Sequence, residues 1–143
     1  MAEYTNAALQ VVDQGQNVLF NETPVPCTRG LVIHRDGSGV FTLRGLTDKC
    51  SVLYRVQFNG NVAIPEGGTV GPISIALAIE GEPTASSTAI YVPAAAEDFG
   101  NVTVFAIVRV PRGCCAHVAI ENISTPVTPI DVQNANIEIT RVA

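Results

Sequence analysis

The chain is short of charge. Charged residues fill 15% of its 143 positions, against roughly a quarter in an ordinary soluble domain. Lys49 is the only lysine. A phosphate-binding surface needs clustered Lys and Arg. Here eight bases face thirteen acids and the arginines stand singly along the sequence, which sets nucleic acid aside as a partner. Tryptophan is absent and aromatics reach only 6%, so no aromatic cluster identifies a ligand site. No apolar run approaches the ~20 residues of a membrane span. The opening "MAEYTNAALQVVDQGQ" lacks a basic segment followed by an apolar one, so synthesis in the cytoplasm without a secretory signal is expected.

What is present is apolar. Hydrophobic residues make up 47% of the chain, which excludes disorder and supplies one core in one domain. With so little charge, part of the surface is expected to be covered by other protein, in an oligomer or a larger assembly.

Two-residue alternation dominates, and it predicts strands. "SVLYRVQF" sets Val52, Tyr54, Val56 and Phe58 against Ser51, Leu53, Arg55 and Gln57, and "ISIALAIE" sets Ile73, Ile75, Leu77 and Ile79 against Ser74, Ala76, Ala78 and Glu80. "NVTVFAIVRV" is apolar on both faces, with Val102, Val104, Ala106 and Val108 opposed by Phe105 and Ile107; such a strand lies inside a domain or against a neighbouring subunit. "ANIEITRV" closes the chain. Shorter strands are expected near 7–12, 17–20, 30–35, 39–44, 86–92 and 115–123. Turns are expected at Asp36-Gly37, Asn59-Gly60, "PEGGTVGP" and "EGEPT", and one helical turn at "PAAAEDFG". About ten strands at these spacings indicate an all-β sandwich or jelly roll.

Chemistry-bearing residues are sparse. His34 and His117 are both expected mid-strand, and no nucleophile and orienting group stand at a spacing that makes a catalytic pair. "DGSG" is a hairpin turn, not a nucleophile elbow. "PEGGTVGP" lacks the Gly-Lys-Ser/Thr ending of a phosphate loop. Glu80, Glu82, Glu97 and Asp98 lie near loops that could gather carboxylates around calcium, though without EF-hand spacing. Cys114 and Cys115 point to opposite faces of one strand. They read as one core thiol and one outward thiol, as a disulfide from either to Cys27 or Cys50, or as metal ligands without the usual paired spacing. A metal enzyme on a related barrel would need two or more histidines and a glutamate on one centre. The expectation is therefore no catalytic residue, no metal and no cofactor.

Three stretches, "GNVAIPEGGTVGPISIALAIEGEP", "VRVPRGCCAHVAIENIS" and "DVQNANIEITRV", resemble the jelly-roll domains of the tumour necrosis factor and complement globular-head superfamily. Within it they are similar to small bacterial and bacteriophage members, spore-surface heads and phage head-fibre or decoration proteins. The resemblance implies a ten-stranded jelly-roll sandwich forming a homotrimer, with Val102, Val104, Phe105, Ile107, Ile137 and Ile139 at the threefold interface. In that topology the "PVPCTRG" crossing brings Cys27 near the vicinal pair, making Cys27, Cys114 and Cys115 the disulfide candidates. The implied organisation is an N-terminal docking arm, Met1, Ala2, Glu3, Tyr4, Thr5 and Asn6 (1–6), before a jelly-roll domain at 7–143. The implied function is a non-enzymatic structural protein on a virion surface, a trimeric decoration or head-fibre protein of a bacteriophage capsid. Its partners would be itself, a capsid or other particle-surface protein, and a host-surface glycan or protein. The alternative is a receptor- or carbohydrate-binding module on a bacterial spore or cell surface.

Overall fold

A computed structural model describes every residue except Thr28, Cys114 and 126–128. Eleven strands are described: β1 (Ala2–Asn6), β2 (Gln10–Val12), β3 (Glu22–Val25), β4 (Val32–Ile33), β5 (Val40–Arg44), β6 (Ser51–Ala63), β7 (Ile73–Ile79), β8 (Glu82–Tyr91), β9 (Gly100–Pro111), β10 (Cys115–Asn122) and β11 (Ile130–Arg141). They form two antiparallel sheets. Sheet A runs β3-β1-β11-β6-β9, with β2 also paired to β11, and sheet B runs β4-β5-β10-β7-β8.

Alternation turns directly into burial. Val52, Tyr54, Val56 and Phe58 of β6 point into the sandwich, and so do Ile73, Ile75 and Leu77 of β7 from the opposite sheet. An aromatic chain joins the layers. Tyr4 and Phe41 have ring centroids 4.9 Å apart, Phe41 and Phe20 5.4 Å, and Phe20 and Phe58 6.2 Å. These are tilted or edge-on contacts of the kind ring quadrupoles favour.

In β11 the buried set changes parity, from Ile130 and Val132 to Ala135, Ile137 and Ile139. The cause is a β-bulge: its pairing with β6 shifts between Gln133 and Asn136, and Asn134 sits at φ 57. One extra residue in an antiparallel strand moves every later side chain to the other face, and Asn is among the few non-glycine residues that enter this region readily.

Four expectations are corrected. Residues 2–6 are not an arm: they form β1, pair with β11 and β3, and bury Ala2, Tyr4 and Asn6. Asn59-Gly60 is not a turn but lies within the thirteen residues of β6. Residues 93–100 contain no helical turn. Residues 17–20 make only isolated bridges, at Asn17 and Phe20. The proline-bearing stretch after β3 does cross from sheet A to sheet B, as its missing N–H donors anticipate.

Candidate functional site: the open face of sheet A

Sheet A presents one face to the core and leaves the other bare. The bare face carries Glu3 and Thr5 from β1, the 136, 138 and 140 positions of β11, the odd-numbered side chains of β6 from Ser51 to Asn61, and Asn101, Thr103, Phe105, Ile107 and Arg109 from β9. Its polar groups largely satisfy one another. Asn101 Nδ2 donates to Asn61 Oδ1 at 3.2 Å, and Asn61 Nδ2 donates to Asn134 Oδ1 at 3.1 Å. Thr103 Oγ1 donates to Asn59 Oδ1 at 3.4 Å, and Asn136 Nδ2 to Glu3 Oε2 at 2.7 Å. Arg55 and Glu138 form an ion pair at 3.3 Å. Beside these bonded groups stand two half-exposed apolar side chains, Phe105 at 51% and Ile107 at 49% exposure. They lie on β9, the edge strand, opposite Gln57 and Arg55.

Of the six expected interface residues, the structure leaves these two available. Val102 and Val104 face inward on the same strand, and Ile137 and Ile139 do so on β11; all four are core residues of the single chain. A strand cannot offer both of its faces once one packs on the opposite sheet. The amide and hydroxyl groups at 59, 61, 101, 103 and 134 were missed. Strand parity alone would have put the first four on one face, whereas Asn134 joins them only through the bulge.

The other singled-out groups are dispersed. His34 stacks on Phe41 with centroids 4.4 Å apart, and its Nε2 donates to the Ser38 carbonyl at 2.9 Å. Its Nδ1 is buried without a hydrogen-bond partner among the described residues. His117 lies on the outer side of sheet B, where Glu80 accepts from its backbone N–H at 2.9 Å and from Nδ1 at 3.2 Å. The backbone bond leads and the ring bond follows in holding the Glu80 carboxyl below its ordinary range. Glu80 (φ 53) and Gly81 (φ 82) make the two-residue turn between β7 and β8, both at the positive φ that a type I′ turn requires.

A shallow cleft of about 360 Å³ spans Glu80, His117, Ala119 and Glu121. Burial, and then Glu82, raise the Glu121 pKa. His117 and Glu121 stand four residues apart on one strand, roughly 13 Å, too far to share a proton. Glu97 and Asp98 lie beyond the far end of β8 from Glu80 and Glu82, so the four loop acids do not converge. Among the described residues no group of three or more His, Cys, Asp and Glu side chains is placed to hold a metal ion.

Cys27 is half-buried and its Sγ accepts from the Val32 N–H at 3.3 Å. Cys115 opens β10 and, like Cys50, is exposed. Cys114 lies outside the described residues, and with it both its reading as a core or outward thiol and the disulfide for which it was a candidate.

No protein-family model matches the sequence, and no curated protein matches it significantly. Solved structures do match in fold. The globular domain of zebrafish complement 1qA protein superposes with a TM-score of 0.68 at 13% identity, covering 99% of this chain and 96% of that one. Murine APRIL superposes with a TM-score of 0.60 at 6% identity, covering 96% of each chain. The fold, two antiparallel β sheets packed as a sandwich, is thus shared with these two domains.

Proposed function

We propose that this chain is a non-enzymatic structural protein that associates with itself through the open face of sheet A, as a homotrimer, and serves as a surface subunit of a larger particle such as a bacteriophage capsid. The observation that carries the reading is the pairing of Phe105 and Ile107, each about half exposed on an edge strand of twelve residues. A long edge that shows apolar side chains and unpaired backbone groups invites another chain unless it is covered. The rest of the face suits contact as well. Its amides and its Arg55–Glu138 pair are already bonded within the subunit, so a second protein surface can approach without stranding an unpaired buried charge. The likeness in fold to the complement and APRIL domains and the shortage of charge agree with self-association. The capsid role rests on the sequence resemblance to phage decoration proteins.

Light scattering on the purified chain tests this. The expected mass is three times 15.0 kDa, falling to one subunit when Phe105→Asp and Ile107→Asp are combined. A wild-type monomer at micromolar concentration, or a trimer indifferent to both aspartates, overturns the interface.

A further inference from the structure

The arginines stand apart in the sequence, but folding gathers them. β6 and β9 run antiparallel from the pair Ser51–Pro111 to the pair Val62–Gly100, so the sandwich has two ends roughly 36 Å apart. At the first end meet the segments 29–31, 44–51, 111–113 and 141–143. They are tied together by the bonds Arg44 N to Leu31 O at 2.9 Å, Arg112 N to Cys50 O at 2.9 Å and Gly113 N to Gly45 O at 3.1 Å. These segments contain Arg29, Arg44, Lys49, Arg112 and Arg141, with Asp48 as their one acid; the β7–β8 turn, which lies toward the same end because Ile79 pairs with Val118, adds Glu80 and Glu82 at the edge of sheet B.

Three of the guanidinium groups are anchored on backbone carbonyls: Arg44 on Gly30 at 3.3 Å, Arg112 on Asp48 at 3.3 Å and Arg141 on Leu46 at 2.9 Å. Among the described residues none of the four arginines has a carboxylate within ion-pair distance. Arg29, Leu31, Leu46 and Arg141 line an open cleft of about 560 Å³, and Leu46 and Val142 are exposed beside it.

The opposite end inverts this chemistry. Segments 13–17, 63–72, 92–100, 121–125 and 129–131 contain Asp13, Glu66, Glu97, Asp98, Glu121 and Asp131, and no lysine or arginine; Arg35, with Asp36, stands on the turn bonded to Phe20. Asp13, Glu66, Glu97 and Asp98 are exposed. Glu97 N–H bonds to the Ile64 carbonyl at 2.8 Å, which sets Glu97 and Asp98 beside the Glu66 loop. Val70, Val92 and Phe99 lie exposed on the same two loops.

We propose that the arginine end of one copy docks on the carboxylate end of another, a head-to-tail contact separate from the sheet A face. The two surfaces complement each other twice over, guanidinium to carboxylate and Leu46 and Val142 to Phe99, Val70 and Val92. Guanidinium groups held by carbonyl anchors lose little freedom on meeting a carboxylate and can engage it through two parallel N–H bonds. A contact between different patches does not close on itself in pairs, so it builds rings where the rotation closes and columns or fibres where it does not. Because the charges are exposed, the contact weakens as salt shortens the screening length.

The test is sedimentation velocity on the full chain at low ionic strength (about 20 mM) and at about 0.5 M salt, where the screening length falls below ~5 Å. Species heavier than the high-salt oligomer are expected at low salt only, with apparent affinity falling about tenfold or more between the two conditions. Two charge-reversed variants complete it. Arg29→Glu with Arg141→Glu reverses the charge of the cleft beside Leu46, and Glu97→Arg with Asp98→Arg reverses that of the loop beside Phe99. Neither is expected to stack alone, while an equal mixture regains the heavy species. Arg29→Glu with Lys49→Glu replaces the first variant if circular dichroism shows that variant unfolded.

A wild-type mass independent of salt, variants that stack alone, or a mixture no heavier than its parts overturns the proposal. So does salt-independent mass together with binding of a fluorescent oligoglutamate at the arginine end, which assigns that end to a foreign acidic partner. The sheet A interface is judged separately, by the high-salt mass.

Discussion

At the residue scale, two buried polar groups do work that their sequence context conceals. Tyr54 is fully buried in β6, and its hydroxyl reaches the crossing between the sheets, donating to the Arg44 carbonyl with the Leu31 carbonyl 3.3 Å away. Burial is the main reason its phenol titrates above the ordinary range. Tyr54→Phe keeps the ring and strands the carbonyls, so chemical denaturation should show a loss of about 1–2 kcal/mol. Asp131 is the second group. It is 8% exposed, and that burial raises its pKa. A carboxyl with a raised folded pKa holds its proton more tightly folded than unfolded. It therefore detracts from stability at neutral pH, and the penalty lifts as pH falls through the folded value toward the unfolded one. Asp131→Asn should raise the melting temperature at pH 7 by roughly 1–3 °C, the response of a domain this size to a fraction of a kcal/mol. At pH 4 the gain should shrink toward zero. Glu80 runs the other way: its depressed pKa gives stability present above the unfolded value and lost as pH falls through the folded one.

At the element scale, Gly60 shows how a local signal can mislead. Asn-Gly between alternating residues is a strong hairpin signal, yet β6 runs straight through it, with Gly60 opposite Val102. The glycine answers a packing demand instead. A Cβ there would come within 2.8 Å of Phe58 Cζ, because the phenyl ring of the same strand folds over the bare backbone. Gly60→Ala should therefore cost about 1–3 kcal/mol through overpacking, measured by urea denaturation. An unchanged midpoint would show that the ring can move aside. The same pair marks the boundary of what the sequence discloses. Period-two alternation in β6 and β7 separates the inward positions, such as Val56 and Ile75, from the outward ones, since a half-buried strand has no other way to place its apolar side chains. It could not separate the two apolar faces of β9, because which one meets the opposite sheet is a tertiary fact. Nor could it find the parity change at Asn134 or the pairing of 2–6 with β11, where the cause lies in a partner more than a hundred residues away.

At the scale of the whole molecule, folding and association draw on different sides of the same strand, and one measurement separates them. Val102, Val104 and Val108 bind β9 to the core, while Phe105 and Ile107 stand outside it. Removing an exposed side chain from a lone subunit usually changes its stability by less than about 0.5 kcal/mol, so Phe105→Ala should melt like the wild type in dilute solution. Association adds stability by mass action and makes the melting temperature rise with protein concentration. The wild type should show that rise and Phe105→Ala should lose most of it. Differential scanning calorimetry across a hundredfold range, about 1 to 100 μM, spans the concentrations at which a micromolar contact fills. Scans at about 0.5 M salt keep the charged ends out of the comparison. If Phe105→Ala melts lower even when dilute, the phenyl ring serves the fold. If both proteins melt independently of concentration, the open face of sheet A meets only water.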